Sequence, residues 1–156
     1  MNMTIPSSLP PGMTTSATAE DELTQTITRA CEQASFDGPD ATFTGRVRID
    51  PQFAGNEYIN AGCGCVHFEP GARSAWHTHP RGQFLLLTQG VGRTQVWGGA
   101  MQELRPGDVV WCPPGVKHWH GAAPDSAMSH LAITGIENGK NVDWLEKVSD
   151  EQYAGG

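Results

Sequence analysis

The sequence predicts an all-β fold in a single domain, a closed or double-sheet β architecture with a short helix at either end. Three observations carry this prediction. From Phe43 onward, short stretches of alternating apolar and polar residues follow one another at even spacing. Glycine and proline stand between them, as in Glu69-Pro70-Gly71, Gly98-Gly99 and Arg105-Pro106-Gly107, where strands must turn sharply. The length of 156 residues suffices for one buried core and not for two.

Residues 1–17 are Ser, Thr, Pro and Met without periodicity and are expected to form a flexible tail. Thr18 can cap a helix whose first turn holds Glu20 and Asp21, and Leu23, Ile27, Ala30, Cys31 and Ala34 fall on one stripe. A helix is therefore predicted over 18–36, ended by Asp37-Gly38-Pro39-Asp40. The β domain is expected over 41–153. Phe43, Val47 and Ile49 alternate with Thr44, Arg46 and Arg48 until Asp50-Pro51 breaks the strand. Further strands are predicted over 58–68, 75–79, 83–88, 93–97, 101–104, 108–112, 118–122 and 128–136. Asn141 to Val148 is predicted to be a short terminal helix, with 149–156 fraying beyond it.

A formal net charge of -7 and a pI near 5.2 argue against nucleic acid and anionic membranes as partners, since both call for a basic surface. Small molecules fit better. Residues 1–12 lack the basic start and apolar run of a secretory signal, and no window has the apolar length of a membrane span. A cytoplasmic location is expected. Cys31, Cys63, Cys65 and Cys112 fit a reducing compartment without a disulfide framework. Cys63, Cys65 and His67 form a period-two row, but they span too much strand for one ion and read better as small buried groups.

Chemistry concentrates in two blocks. In the first, running from Gly71 to Gly90, His77 and His79 stand two apart on an extended strand, which puts both imidazoles on one face where they can chelate one ion. Pro80-Arg81-Gly82 then turns the chain so that Gln83 can fold back toward the same ion. In the second, running from Gly107 to His118, an apolar strand ends in Pro113-Pro114-Gly115, which re-aims the chain at His118. Three nitrogens and one oxygen leave open positions on an octahedral cation, a feature of substrate chemistry more than of a structural site. With a neutral amide in place of a carboxylate, the ion keeps its full charge and is the stronger Lewis acid.

These blocks resemble the paired motifs of the cupin superfamily. The first matches G-x5-H-x-H-x3-E-x6-G with Gln83 at the Glu position, and the second matches G-x5-P-x-G-x2-H. The resemblance implies a cupin jelly-roll β-barrel holding one divalent metal ion. Period two places His120 on the inward face with His118, and puts His130 inward on the strand 128–136. An imidazole beside a cation is pushed toward neutrality, which suits it to act as a base. The alternatives are that His120 only orients His118 by hydrogen bonding and that His130 is a satisfied core histidine.

The stretches Phe43–Pro51, Phe68–His79, Gly107–Trp111, Lys117–Pro124 and Val142–Trp144 further resemble the bacterial cupin hydroxynitrile lyases. That family binds Mn(II) or a similar divalent ion through three His and one Gln, and cleaves or forms cyanohydrins such as mandelonitrile. By position, the resemblance implies His77, His79, Gln83 and His118 as metal ligands, and His130, His120 and Ser74 as catalytic residues. Gly64, Val66 and Thr134 would line the substrate pocket, with Gly64 leaving room for a bulkier substrate. Fe(II), Ni(II) or Zn(II) could take the place of Mn(II). On this reading His130 accepts the hydroxyl proton as cyanide departs, while Ser74 and His120 steady the nitrile. Two other functions fit the same ligands, an Fe(II)-dependent cupin dioxygenase and a non-catalytic metal-containing cupin that binds a small molecule. A homo-oligomer, dimer or tetramer, is expected.

Overall fold

The computed structural model describes residues 24–156. After a 3-10 turn at Ala30–Glu32 come β1 (Phe36–Asp37), β2 (Phe43–Thr44), β3 (Val47–Phe53), β4 (Ala61–Phe68), β5 (Arg73–Ser74), β6 (His77–Thr78) and β7 (Gln83–Gly90). Then follow β8 (Gly92–Val96), β9 (Gln102–Leu104), β10 (Val109–Cys112), β11 (His118–Ala122), β12 (Met128–Gly135), β13 (Asp143–Trp144) and the single-turn helix α1 (Asp150–Tyr153). One sheet has the order β1-β3-β4-β12-β7-β10. In the other, β11 pairs β8 along one side and both β5 and β6 along the other, with β2, β13 and β9 at its margins. Every described pairing between strands is antiparallel, the arrangement of a jelly roll.

The alternation read from the sequence decides which side chains fill the barrel. Phe43, Val47, Val66, Phe68, Leu87, Leu104, Ala122 and Met128 form the main core, each larger side chain contributing about 2 kcal/mol by leaving water. On the outer face of the first sheet, His67 lies between Ser129 (Nδ1 to Oγ, 2.8 Å) and Asp50 (Nε2 to Oδ2, 2.9 Å). That polar ladder joins three neighbouring strands. Cys63 and Cys65 are half-buried free thiols there, and burial pushes both thiols up from their ordinary value.

A second cluster, Trp76, Trp119, Val148 and Tyr153, lies behind β11. Tyr153 donates to Ala122 O at 2.6 Å and is flanked by the guanidiniums of Arg73 and Arg93. Buried Arg73 in turn donates to Val148 O and Asp150, so the C-terminal segment clasps the back of the strand. Among the described residues no helix is long and apolar enough to cross a membrane.

Three local expectations differ from the structure. The tail 1–17 and residues 18–23 of the predicted helix lie outside the described residues, and the rest of 18–36 holds only the 3-10 turn and β1. Thr24, Thr26, Ile27 and Thr28 are β-branched and disfavour helix; Ile27, a stripe residue, is 61% exposed, while Phe36 pairs with Ile49. The strand break falls at Gly45-Arg46 rather than at Asp50-Pro51. β3 runs through Pro51 because β1 covers it only at Arg48 and Ile49, leaving an edge where proline is tolerated. The helix expected over 141–148 is instead extended, because Asp143 and Trp144 pair with Thr78 and His77. The helix lies later, where Ser149 and Gln152 form a capping box on α1.

Gly90, the last glycine of the first motif, has φ +73°, and a Cβ there would overlap the carbonyl oxygen of Ala127. Gly90→Ala is expected to destabilise the chain by more than the about 1–2 kcal/mol that left-handed backbone alone costs a residue with a side chain, read as a lowered midpoint in urea.

Candidate metal centre

His77 on β6 stands directly across from His118 on β11, which brings their ring centroids within 4.3 Å. His79, two residues along, lies 5.0 Å from His77 and 5.3 Å from His118. Gly115 makes this approach possible. Its φ of +75° turns the chain after Pro113-Pro114, and its N–H donates to His79 O at 3.0 Å, tying the second motif to the first. One ring nitrogen from each histidine falls in a cluster whose members all lie within 4.8 Å of one another.

The tautomers follow from the partners. His77 Nδ1 lies 2.8 Å from Ala75 O, His79 Nδ1 2.7 Å from Asn141 O and His118 Nδ1 2.9 Å from Val116 O. A carbonyl only accepts, so each Nδ1 carries the proton and each Nε2 presents a lone pair. Nε2 of His79 and of His118 are buried without a partner, as is Gln83 Oε1. Buried acceptors left without a donor cost about 1–3 kcal/mol each. A divalent cation removes that penalty, and three imidazoles with one amide oxygen suit Mn, Fe, Co, Ni or Zn.

Gln83 owes its orientation to a neighbour. Its Nε2 donates to Thr134 Oγ1 at 2.9 Å across the β7–β12 pair, which leaves Oε1 to face the histidines. Thr134 was expected only to line a pocket; it does border the cavity, and it also holds the amide.

Burial drives every imidazole here toward neutrality. His118 is pushed down to about 4 by desolvation, only partly offset by the Val116 carbonyl. His77 and His79 are lowered too, chiefly by burial, with neighbouring imidazoles adding to the effect at His77. Neutral rings are the form that binds metal.

His120 follows on the inner face of β11, and His130 is wholly buried on β12. Their nearer nitrogens, His130 Nε2 and His120 Nδ1, lie 3.1 Å apart. Their outer nitrogens, His120 Nε2 and His130 Nδ1, have no partner. Desolvation lowers both rings, His130 to about 4. Both border a cavity of about 140 Å³ that also meets His77, His79 and Gln83. The rest of its wall is largely apolar, with Phe43, Ile49, Val66, Ala132, Val142 and Trp144 beside Thr134 and Asn141.

The other expected site residues are placed as follows. Val66 lines the cavity. Gly64, expected in the pocket, sits across from Ala132 without bordering the cavity, and a Cβ there would meet Ile49 Cγ2 at 3.6 Å, so a methyl would fit. Ser74 departs from its expected role. It does not border the cavity; its Oγ accepts the backbone N–H of His120 at 3.2 Å, because β5 pairs beside β11 and directs the hydroxyl into the ladder. Sequence reasoning missed Asn141, whose carbonyl orients His79, and Trp144, whose ring lies 4.8 Å from that of His77. The β-prone pair Val142 and Trp144 was the available signal.

A model of the cupin domain matches residues 64–134. The chain is 58% identical over 127 residues to an (R)-mandelonitrile lyase of Granulicella tundricola, covering 81% of this chain and 97% of that protein. Among solved structures, a cupin-like protein from Thermotoga maritima superposes with a TM-score of 0.70 at 41% identity, covering 75% of this chain and 89% of that one. A cupin-2 domain from Rhodospirillum rubrum gives 0.64 at 22% identity over 84% and 85% of the two chains, a likeness of fold.

Two measurements test the site. Thr134→Val removes the acceptor that fixes the Gln83 amide and is expected to weaken divalent metal affinity about tenfold or more, with Thr134→Ser retaining it, by titration against a chelator of known affinity. The lowered histidines also set a pH dependence. The unfolded chain binds protons below the ordinary value of 6.5 while the folded chain resists them until about 4. Stability is therefore fully present above 6.5 and is lost as pH falls through that window, which thermal melts of metal-free protein between pH 7.5 and 4 will display.

Proposed function

The chain belongs to the cupin family, and from that premise we propose that it is a metal-dependent lyase of hydroxynitrile type, acting on small α-hydroxynitriles. The supporting observation is the convergence of buried, unpartnered His79 Nε2, His118 Nε2 and Gln83 Oε1 beside the His120–His130 pair at one end of an apolar cavity. The 58% identity to a protein named (R)-mandelonitrile lyase, over nearly its whole length, supports the choice of reaction.

His77, His79, His118 and Gln83 would hold a divalent ion, Mn(II) by the family resemblance, which would supply Lewis acidity when bound. The remaining work falls to the chain. The cavity walls exclude water and seat the organic substituent. The His120–His130 pair, neutral at pH 7, takes the hydroxyl proton of the substrate. The electrons of that O–H bond form the carbonyl, the bond to the nitrile carbon breaks, and cyanide leaves with its electron pair to be protonated from the pair. Atoms and charge balance as aldehyde or ketone plus hydrogen cyanide, with no oxidant. Between two neutral rings joined by one hydrogen bond, one outer nitrogen always carries a proton and the other a lone pair. Gain of a proton at the lone-pair end, transfer of the bridging proton and loss of the proton at the far end together exchange those roles, so the pair can accept at one end and donate at the other.

His130→Ala is expected to lower kcat for mandelonitrile cleavage at least about 100-fold, with metal per chain, by elemental analysis, unchanged. The assay run under nitrogen should match that in air. Oxygen-dependent turnover, or full turnover by the variant, would overturn the reading.

A further inference from the structure

We propose that Trp144 is the specificity-determining residue of this cavity, the wall against which the substituent of the substrate lies. The inference rests on the lyase reading for the reaction but not for the site of binding.

The matched cupin domain ends at residue 134, yet Asn141, Val142 and Trp144 border the cavity. They sit on a strap fixed by backbone pairing. Asp143 and Trp144 stand across from Thr78 and His77, Leu145 N–H donates to Trp76 O at 2.8 Å, and Trp76 N–H donates to Glu146 O at 2.9 Å. Ion pairs of Lys140 with Asp143 and of Lys117 with Glu146 brace both ends. The backbone that carries the indole is thus held in place. Its ring centroid lies 5.5 Å from Phe43 at 63° and 4.8 Å from His77 at 46°, and it is 39% exposed, so it stands between a candidate ligand and solvent.

A rigid aromatic wall with Phe43 beside it and aliphatic Ile49 and Ala132 completing the lining favours a flat, apolar substituent such as an aryl ring. It also limits how large that group can be. His77 does not need the indole for its tautomer, since the Ala75 carbonyl holds its Nδ1.

The test uses the metal-loaded full chain, Trp144→Ala and Trp144→Phe. Mandelonitrile and the cyanohydrin of 2-naphthaldehyde are compared as substrates, benzaldehyde binding is measured by calorimetry, and metal per chain by elemental analysis. For Trp144→Ala the naphthyl-to-phenyl ratio of kcat/KM should rise about tenfold, KM for mandelonitrile should rise, and benzaldehyde binding should weaken. Trp144→Phe should keep most of the phenyl preference, and metal content should stay constant in both. An unchanged ratio with unchanged benzaldehyde binding overturns the proposal, as does loss of metal, which would assign Trp144 to holding His77. Benzaldehyde binding that depends on Trp144 in a protein that cleaves no cyanohydrin would retain the wall and overturn the lyase reading alone.

Discussion

Three backbone carbonyls govern the centre of this molecule. Those of Ala75, Val116 and Asn141 each engage the Nδ1 of one histidine, and because a carbonyl cannot donate, each ring must present its Nε2 as a lone pair. Burial then keeps the rings neutral. The same desolvation that makes the cluster a ligand set makes it expensive when bare, since its acceptors find no donor inside the barrel. Cation binding and stability at this spot are therefore linked.

That arrangement requires strands to be held at a fixed separation, and both faces of β11 take part. His120 faces the cavity and His118 meets His77 and His79, while Trp119 points away into the cluster with Val148 and Tyr153. Gly121 lets β5 approach: a Cβ there would run into the Ala72 carbonyl and the Arg73 backbone. Behind, Tyr153 between Arg73 and Arg93 joins the C-terminus to the far end of the strand through the Ala122 carbonyl. Residues remote from the chemistry thus determine how closely His118 meets His77.

The all-β class and the cupin likeness were legible because both rest on strict local rules. Period-two alternation sorts β12 into buried Met128, His130 and Thr134 on the barrel side and Ser129, Leu131 and Ile133 on the other, and glycine and proline mark the corners. What escaped was decided by distant partners. Val142 and Trp144 extend because β6 offers an open edge, which no window around 141–148 could reveal. Ser74 turns to the His120 amide through strand pairing, and Pro51 is tolerated because β1 begins only at Phe36, across from Ile49. The Thr134 bond to Gln83 could have been found only from the β7–β12 register.

The neutral amide has a consequence for the proposed reaction that extends to the second pair of histidines. A carboxylate in place of Gln83 would offset part of the charge of the ion and would raise the affinity of nearby imidazoles for protons. With Gln83, the whole positive charge of a bound ion would oppose protonation of His120 and His130, adding to desolvation that already holds His130 near 4. The pair then remains neutral at pH 7 and has a lone pair free for the substrate proton. In the proposed reaction, the positive charge gained on taking that proton would be held only until departing cyanide is protonated. A weakly basic pair beside an uncompensated cation thus favours proton relay over proton storage, which suits a reaction that begins and ends with neutral molecules.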